Sequence, residues 1–239
     1  MQTGILYGIS VGPGDRELIT LKGLRILKES TVVAFPAGIG GKPGFAQQIV
    51  GQWLGSNQIQ LPLSFPYVND SVALAQAWLK AAEQVWQYLS LGQDVAFACE
   101  GDVSFYSTFT YLSQTLQQLY PETVVQTVPG VCSPMAAASS LGIPLSVLDQ
   151  RLAVLPALYH VKELEIVLDW ADVVVLMKVS SVYKQVWQLL EQRQLLEHAC
   201  VVERATRSEQ VIYRDLSNQP SLKLPYFSVL IVKVTQSSN

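Results

Sequence analysis

Short apolar, β-branched segments alternate along this chain with longer segments of helical periodicity, and that alternation limits the fold more than any other feature. In the first half the order runs "GILYGIS", "TVVAFP", "FAQQIVGQWL", "SVALAQAWLKAAEQVWQYLS", "DVAFAC", "FTYLSQTLQQLY" and "TVVQTV". Strand and helix in turn imply a mostly parallel sheet covered by helices. A second series starts near "RLAVLP" and continues through "VKELEIVLDW", "ADVVVLM", "SVYKQVWQLLEQ", "ACVVE", "EQVIYRD" and "PYFSVLIVKV". Its last segments follow one another without helices, which predicts a mixed sheet. Between the two series lies "PGVCSPMAAASSLGIPLSV", rich in Pro, Gly, Ser and Ala, where the chain is expected to cross between domains. The 239 residues then divide into two α/β domains, 1–127 and 128–239. "AGIGGKPG" predicts an irregular loop after the second strand, long enough to cover a cleft.

The first strand runs into "VGPGDRELIT". Gly12, Gly14 and Glu17 do not complete G-x-G-x-x-G, and no Gly-Lys-Ser/Thr follows, so the pattern is not that of a dinucleotide or nucleoside-triphosphate loop. Asp15 and Glu17 occupy the place where a phosphate would sit at a helix start. Two readings stay open: a βα turn capped by Asp15 and stiffened by Pro13, or one wall of a ligand site. Leu18, Leu21, Leu24 and Leu27 recur at helical spacing and predict a helix after the turn.

The net charge of −3 provides no general attraction to nucleic acid or to anionic membranes. No apolar run approaches the ~18 residues of a membrane helix, and the first segment is a strand rather than a signal core, so a cytoplasmic protein without membrane contact is expected. Cys99, Cys132 and Cys200 are far apart and read as reduced thiols. His160 and His198 are the only histidines, read as surface or interface residues; no metal site is expected. Hydrophobic residues make up 49% and charged residues 15%, an apolar excess that predicts a subunit interface.

Five loops each follow an apolar strand: "GPGD", "EGDVSFYST", "PGVCS", "KVS" and "RAT". In open α/β sheets ligands bind outside the carboxyl ends of strands, which places these loops around one crevice. They carry small residues, hydroxyls, one Met and the carboxylates Glu100 and Asp102, with no Ser-His-Asp set or phosphate clamp. That chemistry suits a ligand with a flat ring, hydroxyls and a positive charge, such as S-adenosylmethionine. Methyl transfer from a sulfonium needs little acid–base apparatus, because alignment and water exclusion supply much of the rate. No general base or other catalytic residue is assigned. Arg16, Arg25, Lys178, Arg204 and Arg207 are the basic residues nearest the crevice, read mostly as solvated surface charge.

The ordered set "GILYGISVGPGDRELITLKGLRILKESTVVAFP", "ACEGDVSFYSTFTYL" and "VPGVCSPMAAASSLGIPL" resembles the three motifs of the tetrapyrrole methylases, the cobalamin and siroheme methyltransferases. The resemblance covers nearly the whole chain. It implies the tetrapyrrole methylase fold, the class III methyltransferase architecture of two α/β domains with the cofactor cleft between them, in a homodimer. "EGD-x-x-FY-x-[ST]-F" and "VVAFPAG" are most similar to the branch that methylates the C-20 meso carbon of precorrin-2 or cobalt-precorrin-2 in corrin biosynthesis. The implied cofactor is S-adenosyl-L-methionine, released as S-adenosyl-L-homocysteine, and the implied partner is a small-molecule tetrapyrrole. Alternatives are a family member of other regiochemistry or acceptor, and a non-catalytic tetrapyrrole-binding module.

By motif, the resemblance assigns cofactor contacts to Pro13, to Glu100, Gly101, Asp102, Phe105, Ser107 and Thr108, to Cys132 and Ser133, to Met177 and to Ala205. Two positions depart from the family pattern. Val103 stands where proline is common, which is expected to loosen the turn, and Cys132 stands where Thr or Ser is common. On the residues alone, Asp102 has a competing reading as the cap of a helix beginning near Phe105.

Overall fold

The computed structural model describes residues 3–38, 40, 42–66, 70–156 and 161–234. His160 and parts of the "AGIGGKPG" loop lie outside the described residues. Two compact units divide the chain at Cys132 and Ser133.

In the first unit, five parallel strands, β1 (Ile5–Ser10), β2 (Val32–Pro36), β3 (Ile59–Leu63), β4 (Val95–Cys99) and β5 (Val124–Val128), lie in the order β3-β2-β4-β1-β5. β2 and β4 are buried on both faces, which is why they read as continuous apolar runs rather than alternating ones. Helices α1 (Leu21–Glu29) and α2 (Phe45–Val50) contribute Ile26, Leu27, Ile49 and Val50 to a core that includes Ile9, Val33 and Phe35. Helices α3 (Ser71–Leu89) and α4 (Thr108–Leu119) contribute Val85, Leu89, Leu112 and Leu116 to a second core with Leu6, Ala34 and Phe97. Successive residues of β2 (Val33 and Ala34) fall in different cores, so the sheet is covered on both faces.

The leucine repeat after "GPGD" lies only partly in the helix it predicts: Leu21, Leu24 and Leu27 fall in α1, with Leu27 buried and Leu24 against the same core, while Leu18 precedes it. Arg16–Leu18 form a 3-10 turn, Ile19 is extended, and Thr20 caps α1 by accepting from the Gly23 N–H at 3.1 Å. Leu21 is 88% exposed, and α1 buries Gly23 and Ile26 together with Leu27. Asp15 caps the 3-10 turn, its carboxylate accepting from the Glu17 N–H at 2.9 Å. Asn caps equally well, so Asp15→Asn should change the unfolding free energy measured in urea by less than about 0.5 kcal/mol.

In the second unit, α5 (Ser133–Leu141) leads into β6 (Leu152–Leu155), α6 (Val161–Leu168), β7 (Val173–Met177), α7 (Tyr183–Gln192), β8 (Ala199–Glu203), β9 (Val211–Tyr213) and β10 (Ser228–Lys233). The sheet order is β6-β7-β10-β8-β9, parallel between β6 and β7 and antiparallel elsewhere, the mixed sheet expected. Leu164, Leu176, Val186, Leu190, Val201 and Leu230 form its core. The Pro/Gly/Ser/Ala-rich stretch contains the division between the two units and also forms α5, whose Ala136, Ala137 and Ala138 are buried. No described helix is long and apolar enough to cross a membrane.

Candidate functional site

Strand β1 lies between β4 and β5, so the loops "GPGD", "EGDVSFYST" and "PGVCS" leave three neighbouring carboxyl ends. From β1 the chain turns through α1 toward β2, whereas from β4 it turns through α4 toward β5 on the other side. Adjacent strands with connections running in opposite directions form a topological switch point, where ligands bind in such sheets.

The two loops at that point are bonded to each other. Gly12 and Gly101 form an isolated antiparallel bridge, with Gly101 N–H donating to Gly12 C=O at 2.8 Å and Gly12 N–H to Gly101 C=O at 3.3 Å. Gly101 sits at φ +67°, where a side chain would be strained. The next residue, Asp102, is buried and ties all three loops together. Its Oδ2 accepts from the Gly130 N–H at 2.7 Å and lies 3.5 Å from the Ser10 hydroxyl, while its Oδ1 accepts from the Ser104 N–H at 2.8 Å and from the Ser104 hydroxyl. Burial pushes the Asp102 carboxyl up, but these hydrogen bonds, led by the Ser104 hydroxyl and the Gly130 N–H, outweigh it and hold the group below its ordinary range. Asp102 is therefore an ionised brace, not the cap of α4. That cap is Ser107, whose hydroxyl accepts from the Phe109 N–H at 3.0 Å.

Ser10, absent from the sequence-based set, completes the brace. Its hydroxyl donates to the Val128 C=O at 2.7 Å and accepts from the Val103 N–H at 3.0 Å. Proline at position 103 could not donate that bond, so Val103 adds a tie to the turn where loosening was expected. Neither Ser10 nor Gly130 carries a local sequence signal of this role, because their partners are distant in the chain. A Cβ at Gly130 would stand 2.4 Å from the Ser10 Cβ, so the loop reaches Asp102 only with glycine at this position.

The remaining expected residues separate by environment. Phe105 is half-buried, with its ring 4.8 Å from that of exposed Tyr106. Glu100 and Thr108 are half-buried. Ser107 is buried beneath the loop, where its hydroxyl also lies 2.9 Å from Cys99 Sγ. Burial pushes the Cys99 thiol up to about 12. In the folded protein at pH 8 the Cys99 thiol should therefore resist iodoacetamide, reacting only on unfolding, as peptide mass mapping would show. Pro13 and Cys132 are half-buried at the ends of their loops, the Cys132 Cα lying 3.8 Å from where a Gly101 Cβ would stand.

The second unit places Met177 at the end of β7 with the Ser133 hydroxyl 3.7 Å from its sulfur. Ala205 is buried beyond the end of β8. Its loop is held by Gln210, whose side-chain oxygen accepts from the Thr206 N–H at 2.7 Å and from the Ser140 hydroxyl at 2.8 Å. No His/Cys/Asp/Glu group able to hold a metal occurs among the described residues.

The family model of the tetrapyrrole (corrin/porphyrin) methylases matches residues 5–219. The chain belongs to the tetrapyrrole methylases. Among relatives of this methylase, the cobalamin biosynthesis protein CobIJ of Mycobacterium tuberculosis is 32% identical over 237 residues, 96% of this chain and 46% of that protein. The chain thus spans about half the length of that relative. The cobalt-precorrin-2 C(20)-methyltransferase of Salmonella typhimurium is 33% identical over 230 residues, 96% of each chain. Among solved structures, the uroporphyrin-III C-methyltransferase of Thermus thermophilus complexed with S-adenosylhomocysteine aligns with TM-score 0.66 over 96% of this methylase and 97% of that chain, at 19% identity. That likeness bears out the fold expected from the sequence motifs.

Proposed function

We propose that this tetrapyrrole methylase transfers a methyl group from S-adenosyl-L-methionine to the C-20 meso carbon of precorrin-2 or cobalt-precorrin-2 in corrin biosynthesis. The observation that carries the reading is the braced pair of loops at the switch point of the first sheet, joined with an end-to-end likeness to a C-20 enzyme. The sulfonium supplies an activated methyl: a bond forms from C-20 to the methyl carbon as the carbon–sulfur bond breaks, leaving S-adenosyl-L-homocysteine, and C-20 then loses its proton.

The protein's part is placement. Gly12, Gly101 and Gly130 carry no side chains, so backbone groups approach a ligand closely, and Asp102 fixes their positions before binding. Pro13, Glu100, Gly101, Asp102, Phe105, Ser107, Thr108 and Cys132 of the first unit, and Ser133, Met177 and Ala205 of the second, are proposed to surround the cofactor. Ser107 and Asp102 do so as supports, since their polar atoms are already engaged within the loops. The enzyme is further read as cytoplasmic and homodimeric. The dimer reading rests on the apolar composition and the family resemblance, and light scattering showing a monomer at micromolar concentration would contradict it.

The test supplies methyl-labelled S-adenosyl-L-methionine with precorrin-2 and cobalt-precorrin-2 in parallel. Mass spectrometry should show one added methyl and NMR should place the label at C-20. Label at another carbon would support a different regiochemistry, and an unlabelled pigment would reduce the protein to a binding module.

A further inference from the structure

In the second unit, β10 runs antiparallel to both β7 and β8, so its first residue lies beside the carboxyl ends of both. The Lys178 N–H donates to the Ser228 C=O at 3.3 Å and the Arg204 N–H to the Phe227 C=O at 2.7 Å, which clamps Tyr226–Phe227 between the two strand ends. On this edge aromatic rings and cations interleave. The Lys178 ammonium lies 5.3 Å from the Tyr226 ring centroid, the Arg207 guanidinium 4.7 Å from that of Phe227, and the two rings meet edge-on at 5.2 Å.

The backbone is strained at the same place. Six described non-glycine residues have positive φ, and Lys178 (56°), Arg204 (48°) and Thr206 (67°) all belong to these two strand ends. Left-handed backbone at side-chain-bearing residues costs energy and collects at ligand sites. The acidic neighbours are Glu203, buried with Oε2 3.7 Å from the Arg204 guanidinium, and Glu209, exposed in the next turn. Among the described residues named here, three cations stand with two carboxylates, in a chain of net charge −3.

We propose that Lys178, Arg204 and Arg207, held against Tyr226 and Phe227, form the rim that binds carboxylates of the tetrapyrrole acceptor. The inference rests on the methyltransferase reading above and names residues that sequence reasoning left as solvated charge. Met177, adjacent to Lys178, puts this rim beside a proposed cofactor contact, so the same strand end would position both the methyl donor and the acceptor's side chains. Guanidinium groups on aromatic rings are pre-oriented, which lowers the ordering cost when a carboxylate arrives.

The test uses the intact protein and sirohydrochlorin, the stable oxidised form of precorrin-2, followed by absorbance titration. Lys178→Gln and Arg207→Gln should each weaken its binding about tenfold, and the double variant about a hundredfold, with a flatter salt dependence. Calorimetric affinity for S-adenosylhomocysteine and the thermal midpoint should stay at wild-type values, and Arg207→Lys should recover part of the loss. Variants that bind sirohydrochlorin as tightly as the wild type, with unchanged salt dependence, would overturn the rim while leaving the methyltransferase intact. A wild type that neither binds nor methylates the pigment would overturn the underlying reading, and the rim with it.

Discussion

Asp102→Ala is expected to lower the stability of the protein by about 3 kcal/mol and to remove measurable S-adenosylhomocysteine binding. The carboxylate accepts from the Gly130 and Ser104 N–H groups, and deleting it leaves both donors of this partly buried turn without their acceptor. Each buried donor left without an acceptor costs about 1–3 kcal/mol. Asp102→Asn should cost roughly half as much, because one amide oxygen can still serve one of the two N–H groups. The acid limb of stability tests the same account. A carboxyl held below its ordinary 3.8 binds its proton more weakly in the folded chain than in the unfolded one. Its contribution is therefore fully present above 3.8 and is lost as pH falls through the folded value. In urea titrations the wild type should lose stability more steeply below pH 4 than Asp102→Asn does. An Asp102→Ala protein within about 0.5 kcal/mol of the wild type would remove the brace from the account.

Gly130→Ala should have the next largest effect. The added Cβ would stand 2.4 Å from the Ser10 Cβ and 3.4 Å from the Gly101 carbonyl oxygen. Ser10 ends β1, which is paired on both sides, and its hydroxyl is bonded on two sides, so the loop after β5 must yield. Overpacking of this kind costs about 1–3 kcal/mol. The displacement would also lengthen the 2.7 Å bond to Asp102, so affinity for S-adenosylhomocysteine should fall about tenfold or more. Gly51→Ala is the control, since a Cβ there meets nothing within 4 Å and the backbone is already right-handed helical. Equal effects from the two substitutions would mean that the Ser10 contact does not govern the loop.

The sheets were legible because the signal is local. Doubly buried β2, β4 and β7 are unbroken apolar runs, and the five loops that carry the motifs each follow the strand expected. What escaped was set by distant partners. β3 was missed because Gln60 and Pro62 interrupt an edge strand with partners on one side only. The repeat of Leu18, Leu21, Leu24 and Leu27 marked the helix but not its start, because the chain takes a 3-10 turn at Leu18 and an extended step before α1, where Leu21 faces solvent and Leu27 the core. Ser10 and Gly130 could not be recognised, since they are 120 residues apart and are brought against each other and Asp102 by the parallel pairing of β1 with β5. The cation–aromatic edge was hidden in the same way, as Lys178 and Tyr226 come together only by antiparallel pairing of β7 and β10.

Amide hydrogen exchange of the intact protein, with and without S-adenosylhomocysteine, measures most directly whether the braced loops are the cofactor platform. The account expects ligand-dependent slowing across residues 11–15, 100–108 and 129–133, with the "SVALAQAWLKAAEQVWQYLS" helix unchanged. Saturating ligand that leaves these three loops exchanging at the free rate, while slowing amides elsewhere, would contradict it.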